Sequence, residues 1–240
     1  LTGQERLVVR HDPAKLGQAL RSLLHDYALQ ERLSVSRAIF REYDIRGVVG
    51  SELTGTALES MGRAFGTYMQ RRTGRKQIVV GRDARASSAS FSEAVTRGLM
   101  AAGCEVIDIG QVPTPLTSFA VNHFWVDGAV QVTASHNPAE FNGLKLQTGM
   151  EALAGQELQK VERLIASGAF ASGEGSRLVR DVVYPYLNCI LHKTQLSRRF
   201  KVAIDAGNGV SGPLAVRLMR ELGCEVAPIY CEPDGDFPNH

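Results

Sequence analysis

The sequence predicts an α/β fold: tandem, mixed and mostly parallel sheets covered by helices, with the second domain truncated. Three observations predict it. Short β-branched runs bounded by glycine alternate with segments of helical period, the pattern of parallel sheets whose two faces are both covered. The loops that leave those runs are polar and glycine-rich. Third, a strand-helix-strand unit recurs, because Gly103-Cys-Glu-Val106 returns 120 residues on as Gly223-Cys-Glu-Val226, each time after a strand, a Gly/Asp loop and a helix.

Taken in order, Leu16, Ala19, Leu20, Leu23, Leu24, Tyr27 and Ala28 recur at helical spacing, with Asp12 as N-cap and Pro13 at the first helical position. This amphipathic helix belongs to residues 1–37, an N-terminal helical extension or linker. Packing on the body, a partner, or an upstream domain are all open for it. Ile39 to Gly47 alternates and ends in Arg-Gly before Val48-Val49-Gly50, which predicts a short strand, a Gly-assisted turn and a second short strand. Thr54 then caps a helix to about Arg72, with Ala57, Leu58, Met61, Ala64, Phe65 and Tyr68 as its apolar face.

Gln77 to Gly81 reads as a buried strand. Its exit loop, Gly81-Arg-Asp-Ala-Arg-Ala-Ser-Ser88, leads into a helix from Ser88 to Ala102. Cys104 to Ile109 is the next strand, Pro113-Thr-Pro115 opens a helical stretch to about Phe124, and the strand Gly128 to Val132 delivers the chain to Thr133-Ala-Ser-His-Asn-Pro138. After a helix from Gly155 to Ser167, Ser172-Gly-Glu-Gly-Ser176 has linker composition. The first domain is therefore predicted over 38–174 and the second over 175–240. The second holds the strand Val202 to Ile204, the loop Asp205-Ala-Gly-Asn-Gly209, a helix, and the strand Val226 to Tyr230. Two parallel strands leave an edge uncovered, so this domain is expected to be incomplete, and the chain, opening on Leu1, reads as an excerpt from something longer.

Composition excludes several function classes. A formal charge of +2 over 240 residues, with basic and acidic side chains interspersed, implies neither nucleic acid nor an anionic membrane as partner. No apolar run approaches the roughly 20 residues of a membrane span, and no secretion signal is present, so a cytoplasmic location is expected. The four cysteines (Cys104, Cys189, Cys224, Cys231) show no C-x-x-C spacing and lie in apolar surroundings, which predicts buried thiols.

Chemistry is concentrated in the loops at strand ends. Ser135 and His136 follow a buried strand at its carboxyl end, where open α/β sheets bind ligands; an ordinary surface turn uses the same residue types, and spacing alone does not separate the two. Neighbours on an extended strand face opposite ways, which argues against a Ser135–His136 pair unless the loop turns. The Gly-x-Ser-x-Gly elbow of hydrolases is missing. Phosphoryl transfer fits better, since it needs positioned cations and the loops offer Arg46, Arg82, Arg85 and Lys145, although surface arginines are commonly only solvated or structurally paired. Asp205-Ala-Gly-Asn-Gly209 lacks the G-x-G-x-x-G and Walker patterns and reads as a tight turn. Asp234-Gly-Asp236 has no third acidic ligand nearby and reads as a solvated turn.

Six motifs in order resemble the α-D-phosphohexomutases, bacterial phosphomannomutase/phosphoglucomutase branch: Phe40-Arg-Glu-Tyr-Asp-Ile-Arg-Gly47, Val80-Gly-Arg-Asp83, Val112-Pro-Thr-Pro115, Thr133-Ala-Ser-His-Asn-Pro138 with Phe141-Asn-Gly-Leu-Lys145, Asp205-Ala-Gly-Asn-Gly-Val210 and Asp236-Phe-Pro-Asn-His240. The resemblance covers Ile39 to His240, the family's N-terminal portion. It implies that Ser135 is the phosphorylated serine, that Lys145 is an acid/base or charge stabiliser, that Arg46 holds phosphoryl oxygens, that His136 contacts substrate or assists proton transfer, and that Tyr43 lies close by. It implies Mg²⁺, ligated by Ser135 through its phosphate and otherwise by residues beyond 240, and a glucose or mannose 1,6-bisphosphate activator. The implied reaction interconverts hexose 6-phosphate and hexose 1-phosphate, with the 240 residues inactive by themselves. A non-catalytic phosphosugar-sensing or scaffold module and the phosphoglucosamine branch are the alternatives.

Overall fold

The computed structural model describes residues 35–74 and 76–239, so the expected helix from Asp12 to Ala28 lies outside the described residues. A 3-10 turn, Arg37–Ile39, precedes β1 (Ile45–Val48), α1 (Gly55–Thr73), β2 (Gln77–Arg82), α2 (Ser88–Ala101), β3 (Glu105–Gln111), α3 (Thr114–Phe124) and β4 (Gly128–Val132). There follow β5 (Phe141–Thr148), β6 (Glu151–Ala152), α4 (Gly155–Ser167), β7 (Ser176–Val179), α5 (Val183–Lys193), β8 (Lys201–Asp205), α6 (Gly212–Glu221) and β9 (Glu225–Ile229).

The first sheet runs β1-β5-β4-β2-β3-β7, with β6 paired to β5. Strands β4, β2, β3 and β7 are parallel, and β5 is antiparallel to both of its long neighbours. Both faces are covered, which is why β2 reads as an unbroken apolar run. Ile78 and Val80 face the core shared with α1, α2 and α4, while Val79 faces the core formed with α3 and reached by Tyr186 of α5. β8 and β9 form a separate parallel pair, against which α6 packs.

Local chemistry explains the borders. The Thr54 hydroxyl accepts from the Ala57 N–H at 3.2 Å to start α1, and Gly74 at φ 70° ends it in the left-handed conformation that glycine adopts without strain. The expected turn at Arg46-Gly47 is not found. Both residues lie inside β1, opposite Gly143 and Asn142 of β5, and the chain bends earlier, where the Arg41 N–H bonds the Asp44 carbonyl at 2.9 Å. The periodicity also offered no strand over β5, because Asn142-Gly143 is a turn signal. Here Asn142 is buried and donates to the Ser87 and Ser88 hydroxyls, and any methyl on Gly143 would lie 1.9 Å from the Ile45 carbonyl oxygen. Residues 176–179, assigned from composition to the second domain, pair with β3 and extend the first sheet.

α1 and α2 cross at bare glycines. A methyl on Gly98 would come within 2.0 Å of the Glu59 carbonyl oxygen, and one on Gly62 within 2.3 Å of that of Val95. Gly98→Ala gains about 1 kcal/mol of helix propensity, but overpacking against rigid backbone costs about 3 kcal/mol. The clash wins. Urea unfolding is expected to show a net loss of about 2 kcal/mol at unchanged m-value. No helix among the described residues is long and apolar enough to cross a membrane.

Candidate active site

Ser135 stands just past the end of β4 at φ 59°, a left-handed conformation uncommon for a side chain with a Cβ. That turn breaks the extended geometry, so neighbouring side chains no longer point apart: the Ser135 hydroxyl lies 3.3 Å from His136 Nδ1, and both residues are exposed. The Thr133 hydroxyl accepts from the Ser135 N–H at 3.0 Å.

What holds the turn is Arg85, 3% exposed. Its Nη2 donates to the carbonyls of Ser135 (3.2 Å) and Asn137 (2.6 Å), its Nη1 to those of Pro138 (2.6 Å) and Phe141 (2.9 Å), and its Nε to Asp83 Oδ2 (3.2 Å). A guanidinium has five N–H groups, and all five are engaged. Burial disfavours the Arg85 charge, and the Asp83 carboxylate beside it opposes that. Asp83 also accepts from the hydroxyls of Thr133 (2.6 Å) and Ser88 (2.5 Å). Arg85, counted from sequence among the phosphoryl-binding cations, therefore has no donor left for a ligand and serves as the frame of the serine loop. Arg82 faces Asp108 on β3, at 4.0 Å.

The other two cations converge. On β1 and β5, Arg46 and Lys145 share one carboxylate oxygen, Asp44 Oδ2, through Arg46 Nη2 (2.7 Å), Arg46 Nε (2.8 Å) and Lys145 Nζ (2.8 Å). Arg46 Nη1 reaches Asn137 Oδ1 at 2.7 Å, which ties this cluster to the serine loop. Burial by itself would raise the Asp44 carboxyl; hydrogen bonds from Arg46 and Lys145 outweigh it and hold the group below its ordinary 3.8. A depressed folded-state pKa contributes stability above the unfolded value that is lost as pH falls through the folded one. Wild type is thus expected to lose this contribution only below about pH 4, whereas Asp44→Asn should be less stable by about 2 kcal/mol at neutral pH and show less acid sensitivity in pH-resolved unfolding. Tyr43, at 70% exposed, extends into solvent beside this cluster in sequence.

A cleft of about 720 Å³ separates the serine loop from the second unit, with Ser135, His136 and Asn137 on one wall and Ala206, Gly207 and Phe237 on the other. The Phe237 ring lies 5.1 Å from the Arg85 guanidinium. Gly235 is pressed against the Arg85 loop: a methyl there would stand 2.7 Å from both the Ala84 carbonyl oxygen and the Ala86 nitrogen. Asp234 and Asp236 are exposed, as a solvated turn requires, but the glycine between them is a domain contact. Among the described residues no three His, Cys, Asp or Glu side chains converge as metal ligands. Asp44 and Asp83 lie inside the sequence motifs with no role of their own there, and their sequence signal is the i, i+2 spacing to Arg46 and Arg85.

The fold and site define a class: an α/β protein that presents a serine on a braced turn to a cleft closed by a second α/β unit. The chain matches "Phosphoglucomutase/phosphomannomutase, alpha/beta/alpha domain I" over residues 37–172 and domain II of the same family over 184–240. It is 41% identical over 203 residues to a phosphomannomutase/phosphoglucomutase of Pseudomonas aeruginosa, covering 85% of this chain and 44% of that protein. It is 39% identical over 209 residues to a phosphoglucomutase of Neisseria gonorrhoeae, covering 86% and 45%. Among solved structures, a phosphoglucomutase/phosphomannomutase family protein from Burkholderia thailandensis superposes with a TM-score of 0.83 at 41% identity, over 86% of this chain and 46% of that one. The chain belongs to the phosphoglucomutase/phosphomannomutase family and spans a little under half the length of these relatives.

Proposed function

We propose that this chain supplies the phosphoserine side of a phosphohexomutase active site, acting on mannose and/or glucose phosphates. The observation that carries the reading is the Ser135 hydroxyl, turned into the cleft by a left-handed backbone that buried Arg85 holds. The sugars are those in the names of the Pseudomonas and Neisseria relatives.

In this reading the phosphoryl group on Ser135 Oγ passes to the free hydroxyl of a hexose monophosphate. The P–Oγ bond breaks, a P–O bond to the sugar forms, and the sugar hydroxyl gives up its proton. The hexose 1,6-bisphosphate so formed reorients and returns its other phosphoryl group to Ser135, which completes the exchange of 6- and 1-phosphate. His136, 3.3 Å from Oγ, can hold the proton that Oγ gains and loses. Arg46 and Lys145 bring two positive charges against one carboxylate, leaving net positive charge beside the loop for phosphoryl oxygens. Tyr43 is the remaining proposed substrate contact. Mg²⁺, when bound, neutralises phosphoryl charge. The described residues do not make a complete site for it, since Ser135 through its phosphate is the single ligand proposed here, so no step is assigned to the metal.

Intact-mass analysis of the full-length protein before and after phosphatase treatment, with peptide mapping, is expected to find one phosphate on Ser135. A protein that turns over sugar phosphates with Ser135 never phosphorylated would overturn the mechanism. The 240 residues assayed alone are expected to show no turnover.

A further inference from the structure

The end of the first domain remote from Ser135 holds a second cavity. α1 leads directly into β2, so its last turn lies at the amino end of the strands, whereas Ser135 follows the carboxyl end of β4, which is parallel to β2. Here α1 and α4 enclose a groove of about 570 Å³ with Tyr68 and Leu164 in its apolar lining and Arg71, Arg72, Lys160 and Arg163 around it. Cavities of this size hold small organic ligands.

The charge is concentrated. The groove's lining holds four cations and one carboxylate, Glu157, a formal +3, and Glu151 acts on Arg72 from outside the lining. Glu157 is fully used: it accepts from Lys160 (2.6 Å), the Tyr68 hydroxyl (2.6 Å) and Arg72 (3.0 Å), and the bonds from Lys160 and Tyr68 hold its carboxyl at about 2. Arg71 donates to the Ala169 carbonyl at 2.9 Å and meets no carboxylate among the described residues. Arg163 has no hydrogen-bond or ion-pair partner among them. Self-repulsion on this scale destabilises a surface unless an anion relieves it. An apolar lining beside two guanidiniums that meet no carboxylate among the described residues suits an anion that also carries a flat ring, and guanidinium forks match phosphate oxygens.

We propose that this groove binds a nucleoside polyphosphate, with the phosphates on Arg71 and Arg163 and the base on the apolar lining. It is a separate site from the Ser135 cleft and stands whether or not Ser135 carries phosphate. Calorimetric titration of the full chain with ATP, with tripolyphosphate and with adenosine tests it. ATP is expected to saturate one site at least tenfold more tightly than either of its parts. Arg163→Glu, which sacrifices no contact among the described residues, is expected to weaken ATP tenfold or more with an unchanged unfolding curve, and Ser135→Ala to leave it unchanged. Absence of saturable binding, equal affinity for tripolyphosphate and ATP, full affinity in Arg163→Glu, or loss of binding in Ser135→Ala would each overturn the proposal.

Discussion

Ser135→Ala in the full-length protein is expected to lower hexose phosphate turnover on the order of 10⁴-fold or more, with folding unaffected. The size follows from covalent chemistry: without Oγ there is no acceptor for the phosphoryl group, and the remaining groups can only bind and polarise. The fold should not suffer, because the Ser135 side chain is exposed and its one hydrogen-bond partner, His136, is exposed as well. The backbone contacts that hold the turn come from the Ser135 N–H and carbonyl, which alanine keeps. Serine already carries a Cβ at φ 59°, so alanine adds little backbone strain there. Steady-state assays with glucose 1-phosphate and mannose 1-phosphate, alongside thermal unfolding, check both halves. Wild-type turnover from the alanine variant would rule out Ser135 as carrier.

Arg85→Ala is expected to cost about 3–5 kcal/mol, because it strands the Asp83 carboxylate in a buried site and leaves four loop carbonyls without their shared donor. For a chain of this size that is a fall in Tm of about 10 °C. The more telling variant is Arg85→Lys. It keeps the charge beside Asp83, but an ammonium has three donors in place of five and no planar fork. It is expected to fold and yet to phosphorylate Ser135 at least tenfold more slowly, because the left-handed turn loses the bonds that oppose its strain. The Phe237 ring stacked on the guanidinium also loses its partner, so the contact between the two units should loosen in the same variant. Radiolabel incorporation into Ser135, measured beside the unfolding curve, separates positioning from simple destabilisation. A lysine variant with full transfer rate would remove Arg85 from the mechanism.

Much of this was legible in residue order because it depends on near neighbours. The cap at Thr54, the strand Gly128–Val132, the exit loops and the repeat from Gly103 to Gly223 each arise within a few residues, and the structure places them where the pattern does. Buried thiols were readable from apolar surroundings at Cys104, Cys224 and Cys231, while Cys189 is only half-buried. The two strands that frame the site were not readable. β1 runs through an Arg-Gly and β5 begins with an Asn-Gly, both local turn signals, and each is held straight by the other across the sheet.

Sequence by itself determined the covered parallel sheet and the serine at a strand's carboxyl end, with cations at neighbouring strand ends. Tertiary structure decided how those cations divide. Arg46 and Lys145 meet on Asp44, although 101 residues separate Asp44 from Lys145, because β1 and β5 pair in one register. Arg85, indistinguishable from them in the sequence, is buried and turned inward to brace the turn that aims Ser135. The physical reason is that a side chain's charge is a property of its residue type. Whether that charge meets a ligand or a carbonyl depends on which backbone segments long-range pairing brings within 3 Å of it.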